Sequence, residues 1–76
     1  MTAKNKAQLL IEIGNRIRLK REENNLSQQD LAALCNFEKT NMSRLEAGRT
    51  NPTLSTLYKI SQALGIKLID LLDVEL

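Results

Sequence analysis

This chain is punctuated at short intervals by residues that stop and start helices. Asn24-Asn25, Asn36, Gly48 and Gly65 are stop signals, and Ser27 and Thr53 are start signals. Asn and Gly tolerate the left-handed backbone that ends a helix. Ser and Thr hydroxyls accept the orphan backbone N–H groups that open one. Between these marks apolar residues recur at helical spacing, and no stretch alternates with period two for long enough to make a strand. Such a chain can bury apolar surface only by packing several short helices. Hydrophobic residues make up 42% of it, mostly Leu, Ile and Ala, and aromatics only 3%, which favours helices over a β-sandwich. Its 76 residues allow one domain with one small core.

The spacing predicts an all-α chain of five helices. The first covers about Ala7 to Asn24, with Leu10, Ile13, Ile17 and the stem of Lys20 or Arg21 inward. Gly14 interrupts it at a cost of about 1 kcal/mol against Ala, for which close approach of another helix is one reason. The second covers Ser27 to Cys35, with Ser27 and Asp30 spaced as a near capping box and Leu31, Ala32 and Cys35 inward. The third covers Glu38 to Ala47, with Met42 and Leu45 inward and Phe37 packed just before it. Thr53 caps a fourth that carries Leu54, Leu57, Ile60, Ala63 and Leu64 inward, and Lys67 to Leu72 forms a short fifth. Residues 1–6 lack an apolar pattern and read as a flexible arm. Residues 7–76 read as a single domain.

Several functions lack equipment. There is no His and only one Cys, which excludes a His/Cys metal site, an internal disulfide and imidazole catalysis. There is no Gly-rich phosphate loop, and no paired carboxylates share a face, so an enzyme is not expected. No cofactor is expected either. Without a membrane-length apolar run or a signal-peptide pattern, a cytoplasmic location is the default. The net charge is only +2, but it is unevenly spread. Lys4, Lys6, Arg16, Arg18, Lys20 and Arg21 crowd the front, whereas Asp70, Asp73 and Glu75 close the chain. That asymmetry fits one anion-facing side, although a solvated first helix would look the same.

The two short helices over Ser27–Cys35 and Glu38–Ala47 are joined by two or three residues. This tight joint is the helix-turn-helix, whose second helix lies in the DNA major groove. Ala32 supplies the small residue at the crossing, Asn36 can take positive φ at the turn, and Leu31, Phe37, Met42 and Leu45 can lock the pair.

The runs Leu26-Ser27-Gln28-Gln29-Asp30-Leu31-Ala32, Met42-Ser43-Arg44-Leu45-Glu46-Ala47-Gly48-Arg49, Asn51-Pro52-Thr53-Leu54-Ser55-Thr56-Leu57 and Ala63-Leu64-Gly65-Ile66 closely resemble the Cro/C1 (Xre) family of helix-turn-helix regulators. The small size and Asn36-Phe37-Glu38-Lys39-Thr40 also look like the controller proteins of restriction–modification systems. The resemblance covers about residues 10 to 72. It implies a five-helix, lambda-repressor-like domain that binds a palindromic operator as a homodimer and acts as a repressor or autoregulator. Two residues depart from the family pattern. Asn36 stands where Gly is usual at the turn, and Glu38 stands where Ser or Thr usually opens the third helix. A carboxylate there suits the helix dipole, yet phosphates would repel it unless it accepts a hydrogen bond from cytosine N4.

In the resembling family, the outward stripe of the third helix reads base edges. Here that stripe is Lys39, Thr40, Ser43 and Arg44. Arg44 can fork onto guanine, Lys39 can reach guanine or a phosphate, and the Thr40 methyl can meet a thymine methyl. Gln28 matches a phosphate-binding Gln of the family, and Asn41, Arg49 and Asn51 are candidates for a second phosphate clamp. The family also pairs a first-helix Arg with a third-helix Glu, here Arg21 and Glu46. For each of these the plainer alternative is an ordinary solvated side chain. Cys35 reads as a small core residue rather than a redox switch, and Leu34 as half-exposed.

The tail holds more apolar groups than one helix face can bury, so Ile66, Ile69 and Val74 are candidates for a homodimer interface. Their alternative is packing within the chain's own core. A competing function is a protein-interaction module on the same fold, either an antitoxin-like partner binder or a coactivator. The domain has no room for a separate ligand-binding half, so no small-molecule effector is expected.

Overall fold

The computed structural model describes residues 5–74. Five helices follow one another: α1 (Lys6–Glu23), α2 (Gln28–Cys35), α3 (Lys39–Glu46), α4 (Leu54–Leu64) and α5 (Leu68–Leu72). There is no strand among the described residues.

Most boundaries follow the local chemistry of the sequence. Ser27 Oγ accepts the Asp30 N–H at 3.0 Å, and the Asp30 carboxylate accepts the Ser27 N–H at 3.0 Å. Thr53 Oγ1 accepts the Thr56 N–H. Asn36 ends α2 at φ 58°, and Gly65 ends α4 at φ 68°. After α1 the positive φ falls on Asn25, not Asn24.

Helix α1 starts earlier than its apolar pattern suggests. Asn5 and Gln8 form a reciprocal capping box, with hydrogen bonds of 2.9 and 3.0 Å, so Asn5 and Lys6 belong to the helix start and not to an arm. The rest of the expected arm, residues 1–4, lies outside the described residues.

The core is built from Ile13 and Ile17 of α1, Leu31, Ala32 and Cys35 of α2, Met42 and Leu45 of α3, Leu57, Ile60 and Leu64 of α4, and Leu71 of α5. Leu54, the first residue of α4, departs from its expected inward place and stands 64% exposed. Leu34 is also exposed. Burial pushes the Cys35 thiol pKa up, as expected of an unreactive core cysteine.

Helix α1 packs against α3, α4 and α5. Gly14 allows the close approach to α3. A Cβ there would lie 2.5 Å from the Glu46 carbonyl oxygen and 2.6 Å from that of Leu45. One turn further along, the Arg16 guanidinium donates twice, through Nε and Nη2 at 3.1 and 2.8 Å, to the Asp70 carbonyl of α5. That carbonyl lies in the last turn of a short helix, where intrahelical partners run out.

Candidate nucleic-acid interface

Helix α3 has two unlike faces. Met42, Leu45 and Glu46 are buried, whereas Lys39, Thr40, Ser43 and Arg44 are exposed on the opposite side. Among the described residues, no side-chain hydrogen bond or ion pair engages any of these four. They form one outward stripe, as the spacing predicts.

Glu46 fixes the buried face. Arg21 Nε donates to Glu46 Oε2 at 2.6 Å and Arg21 Nη2 to Oε1 at 3.0 Å. The third arm of the guanidinium, Nη1, donates to the Leu26 carbonyl at 2.7 Å. Arg21 is 8% and Glu46 6% exposed, so this is a buried, bidentate pair of the charge-assisted kind. The hydrogen bonds that Arg21 donates to Glu46 raise its pKa against the opposing effect of burial.

Gln28 joins the same carboxylate, with its Nε2 donating to Glu46 Oε1 at 3.0 Å. One carboxylate therefore ties together α1, the first residue of α2 and the last residue of α3. The sequence pointed to the Arg21–Glu46 pair but not to Gln28 as its third member, because that bond spans 18 residues and leaves no local pattern. The Gln28 amide keeps a second N–H beyond the one given to Glu46.

The structure brings three of the other candidates together. Asn41, Arg44 and Asn51 line one groove of about 250 Å³, along with Thr53, Thr56 and Phe37. This groove runs between α3 and the start of α4, whose N-terminal dipole end favours an anion. Arg49 is exposed and does not line it. Phe37, at the α2–α3 turn, is half-buried and lies under the Lys59 ammonium, 5.3 Å from the ring centre, a cation–π contact that holds the turn on α4.

The three tail candidates separate. Ile66 and Val74 are partly buried and pack against the chain's own core, while Ile69 is 64% exposed. Two of the residues expected to meet a second copy are thus engaged within the fold, at least in part.

Among the described residues no group of His, Cys, Asp and Glu could hold a metal ion. No helix is long and apolar enough to cross a membrane.

Comparison with known proteins agrees with this geometry. The helix-turn-helix family model matches residues 17–71. The chain is 40% identical over 67 residues to the control protein C.MunI of a Mycoplasma species, covering 86% of this chain and 90% of that protein. Its fold is similar to the crystal structure of the restriction-modification controller protein C.AhdI from Aeromonas hydrophila, with a TM-score of 0.80 and 32% identity over 82% of this chain and 94% of that one. It is also similar to the biofilm master regulator SinR, solved in complex with DNA, with a TM-score of 0.74 and 35% identity over 80% of this chain and 98% of that one. With a matching family model over most of its length, two helix ends clamped by one carboxylate and an open stripe on the second helix, the chain belongs to the Cro/C1-type helix-turn-helix family of transcriptional regulators.

Proposed function

We propose that the chain binds a specific double-stranded DNA operator as a homodimer and works as a repressor or autoregulator of the restriction–modification controller type. One observation carries this reading: Lys39, Thr40, Ser43 and Arg44 stand exposed and unengaged on a helix whose other face is locked in place. A stripe with no structural task on a rigidly held helix suits reading of base edges in the major groove.

Phosphate contacts would flank it on two sides. On one side is Gln28, with its free amide N–H at the start of α2. On the other are Asn41 and Asn51 beside the start of α4, with Arg49 exposed on the loop after α3. These contacts set register and carry little sequence information.

The homodimer reading now rests mainly on Ile69, the most open of the three tail candidates. A two-fold pair would place its recognition helices one DNA turn apart, roughly 34 Å. In this reading regulation follows protein concentration without a small-molecule effector or cofactor, the chain acts by binding and not by catalysis, and it works in the cytoplasm.

Selection of bound duplexes from a random pool tests the whole reading. A palindromic consensus is expected, bound more weakly as salt rises. Lys39→Ala and Arg44→Ala should each lose preference at specific positions, by roughly 1–3 kcal/mol per affected base pair, with folding unchanged. Retained specificity in both variants would refute the assignment of the stripe. A stable protein partner together with no DNA binding at low salt would replace the whole reading with an interaction module.

A further inference from the structure

Glu38 stands at the entrance to α3, and its side chain has no bonding partner among the described residues. Asn5, Ser27 and Thr53, the other N-cap residues with side-chain acceptors, spend them on backbone N–H groups of their own helices. Glu38 holds the same extended backbone, φ −76° and ψ 148°, but makes no side-chain cap bond. It is exposed and enters no ion pair among the described residues. Lys39 and Thr40 follow it directly, so it stands at the N-terminal end of the helix that carries the outward stripe.

A recognition helix meets base edges with its N-terminal residues. An ionised carboxylate there can only accept hydrogen bonds. Guanine and thymine present only acceptors on their polar major-groove edges, and adenine places its N6 donor beside the N7 acceptor. Cytosine offers the N4 donor with no acceptor beside it on its own edge. A carboxylate at this point is therefore repelled by phosphates and by two of the four bases, and is best satisfied by cytosine.

We infer that Glu38 is a specificity-determining residue that selects cytosine at one position in each half-site, from the N-terminal end of the helix that carries Lys39, Thr40, Ser43 and Arg44. The inference rests on the operator reading above and adds a base and a residue to it. The plainer role, an acidic side chain favourable to the helix dipole, requires no base preference.

The test is duplex selection from a random pool with the wild-type chain, Glu38→Ala and Glu38→Gln, followed by competition binding on single-base variants of the selected site. Wild type should favour cytosine at one symmetric position by on the order of tenfold over guanine. Glu38→Ala should flatten that position alone. Glu38→Gln should move the preference to adenine, whose N6 and N7 match a carboxamide. Thermal melts should show both variants folded, since the side chain holds no structural bond. The same consensus from all three proteins would overturn this inference and leave the operator reading intact. Unfolding of both variants would place Glu38 in the scaffold and also overturn it. A wild-type chain that selects no sequence would remove the operator reading and this inference together.

Discussion

Replacing Gly14 with Ala sets two known effects against each other. The gain is intrinsic: Ala is better than Gly inside a helix by about 1 kcal/mol. The loss is steric. The new Cβ would sit 2.5 Å from the Glu46 carbonyl oxygen, whereas ordinary contact begins at 3.4 Å, so α1 and α3 must part by about 0.9 Å, the difference between the two. The nearest atoms are all backbone, so no side chain can rotate away. Backbone shifts forced by overpacking cost typically 1–3 kcal/mol, and with no soft neighbour the upper half of that range applies. The steric loss wins, with a net destabilisation of about 1–2 kcal/mol and a fall in Tm of roughly 4–16 °C.

The shift should also reach DNA. Helix α3 has eight residues, or roughly 12 Å at 1.5 Å per residue, so a 0.9 Å displacement at one end tilts it by about 4°. Circular-dichroism melts and binding to the selected operator check both effects. Asn15→Ala is the control. It sits on the same helix but is exposed, so it should gain a few tenths of a kcal/mol from propensity alone. A Gly14→Ala chain that melts at or above the wild-type temperature, as the control should, would refute the close packing of α1 on α3.

Two further outcomes follow from the buried and capping groups. Glu46→Ala strands the buried Arg21 charge and frees Gln28, and should cost about 3–5 kcal/mol in denaturant titration, a large share of the 5–15 kcal/mol typical of a domain. The Arg21→Met, Glu46→Leu double variant should recover most of that loss. Operator affinity should stay weakened in it, because Gln28 has lost its anchor; wild-type affinity would argue against Gln28 as a positioning residue. The second outcome concerns Asp30, whose pKa is lowered chiefly by the Ser27 N–H and then by the Ser27 hydroxyl. The unfolded chain therefore takes up this proton at a higher pH than the folded one, and stability rises with pH through that window. The capping contribution should be complete above the ordinary value of 3.8 and lost as pH falls through the folded value. Asp30→Asn should remove this portion of the acid dependence, read from denaturation midpoints across pH 2–6, a range set around the usual carboxylate values of about 4.

The elements legible in the sequence were those fixed by local chemistry. Ser27 with Asp30, Asn36, Thr53 and Gly65 act within a few residues of themselves, and each marks its boundary. Asn5 and Gln8 carry the same box spacing, yet the missing apolar pattern around them pointed to an arm. Gly14 hinted at a close neighbour but could not name it. What stayed hidden depends on contacts distant in the chain: the Gln28–Glu46 bond, the Arg16 grip on Asp70, and the engagement of Ile66 and Val74 with the core. Leu54 shows the opposite failure. Its spacing fits the apolar face of α4, but periodicity places a residue on a face without telling how far the core extends beneath it.

The division of labour on α3 has a consequence for how such regulators diverge. Stability is vested in Glu46 and its partners, and no side-chain bond of the fold runs through Lys39, Thr40, Ser43 or Arg44. Substitutions in the stripe are then nearly free for folding, within about 0.5 kcal/mol as at other exposed sites. If the stripe reads the operator as proposed, a lineage can exchange one operator for another by single steps, each intermediate still folded. Replacing Glu46 offers no such single-step path, because the buried Arg21 would have to change with it.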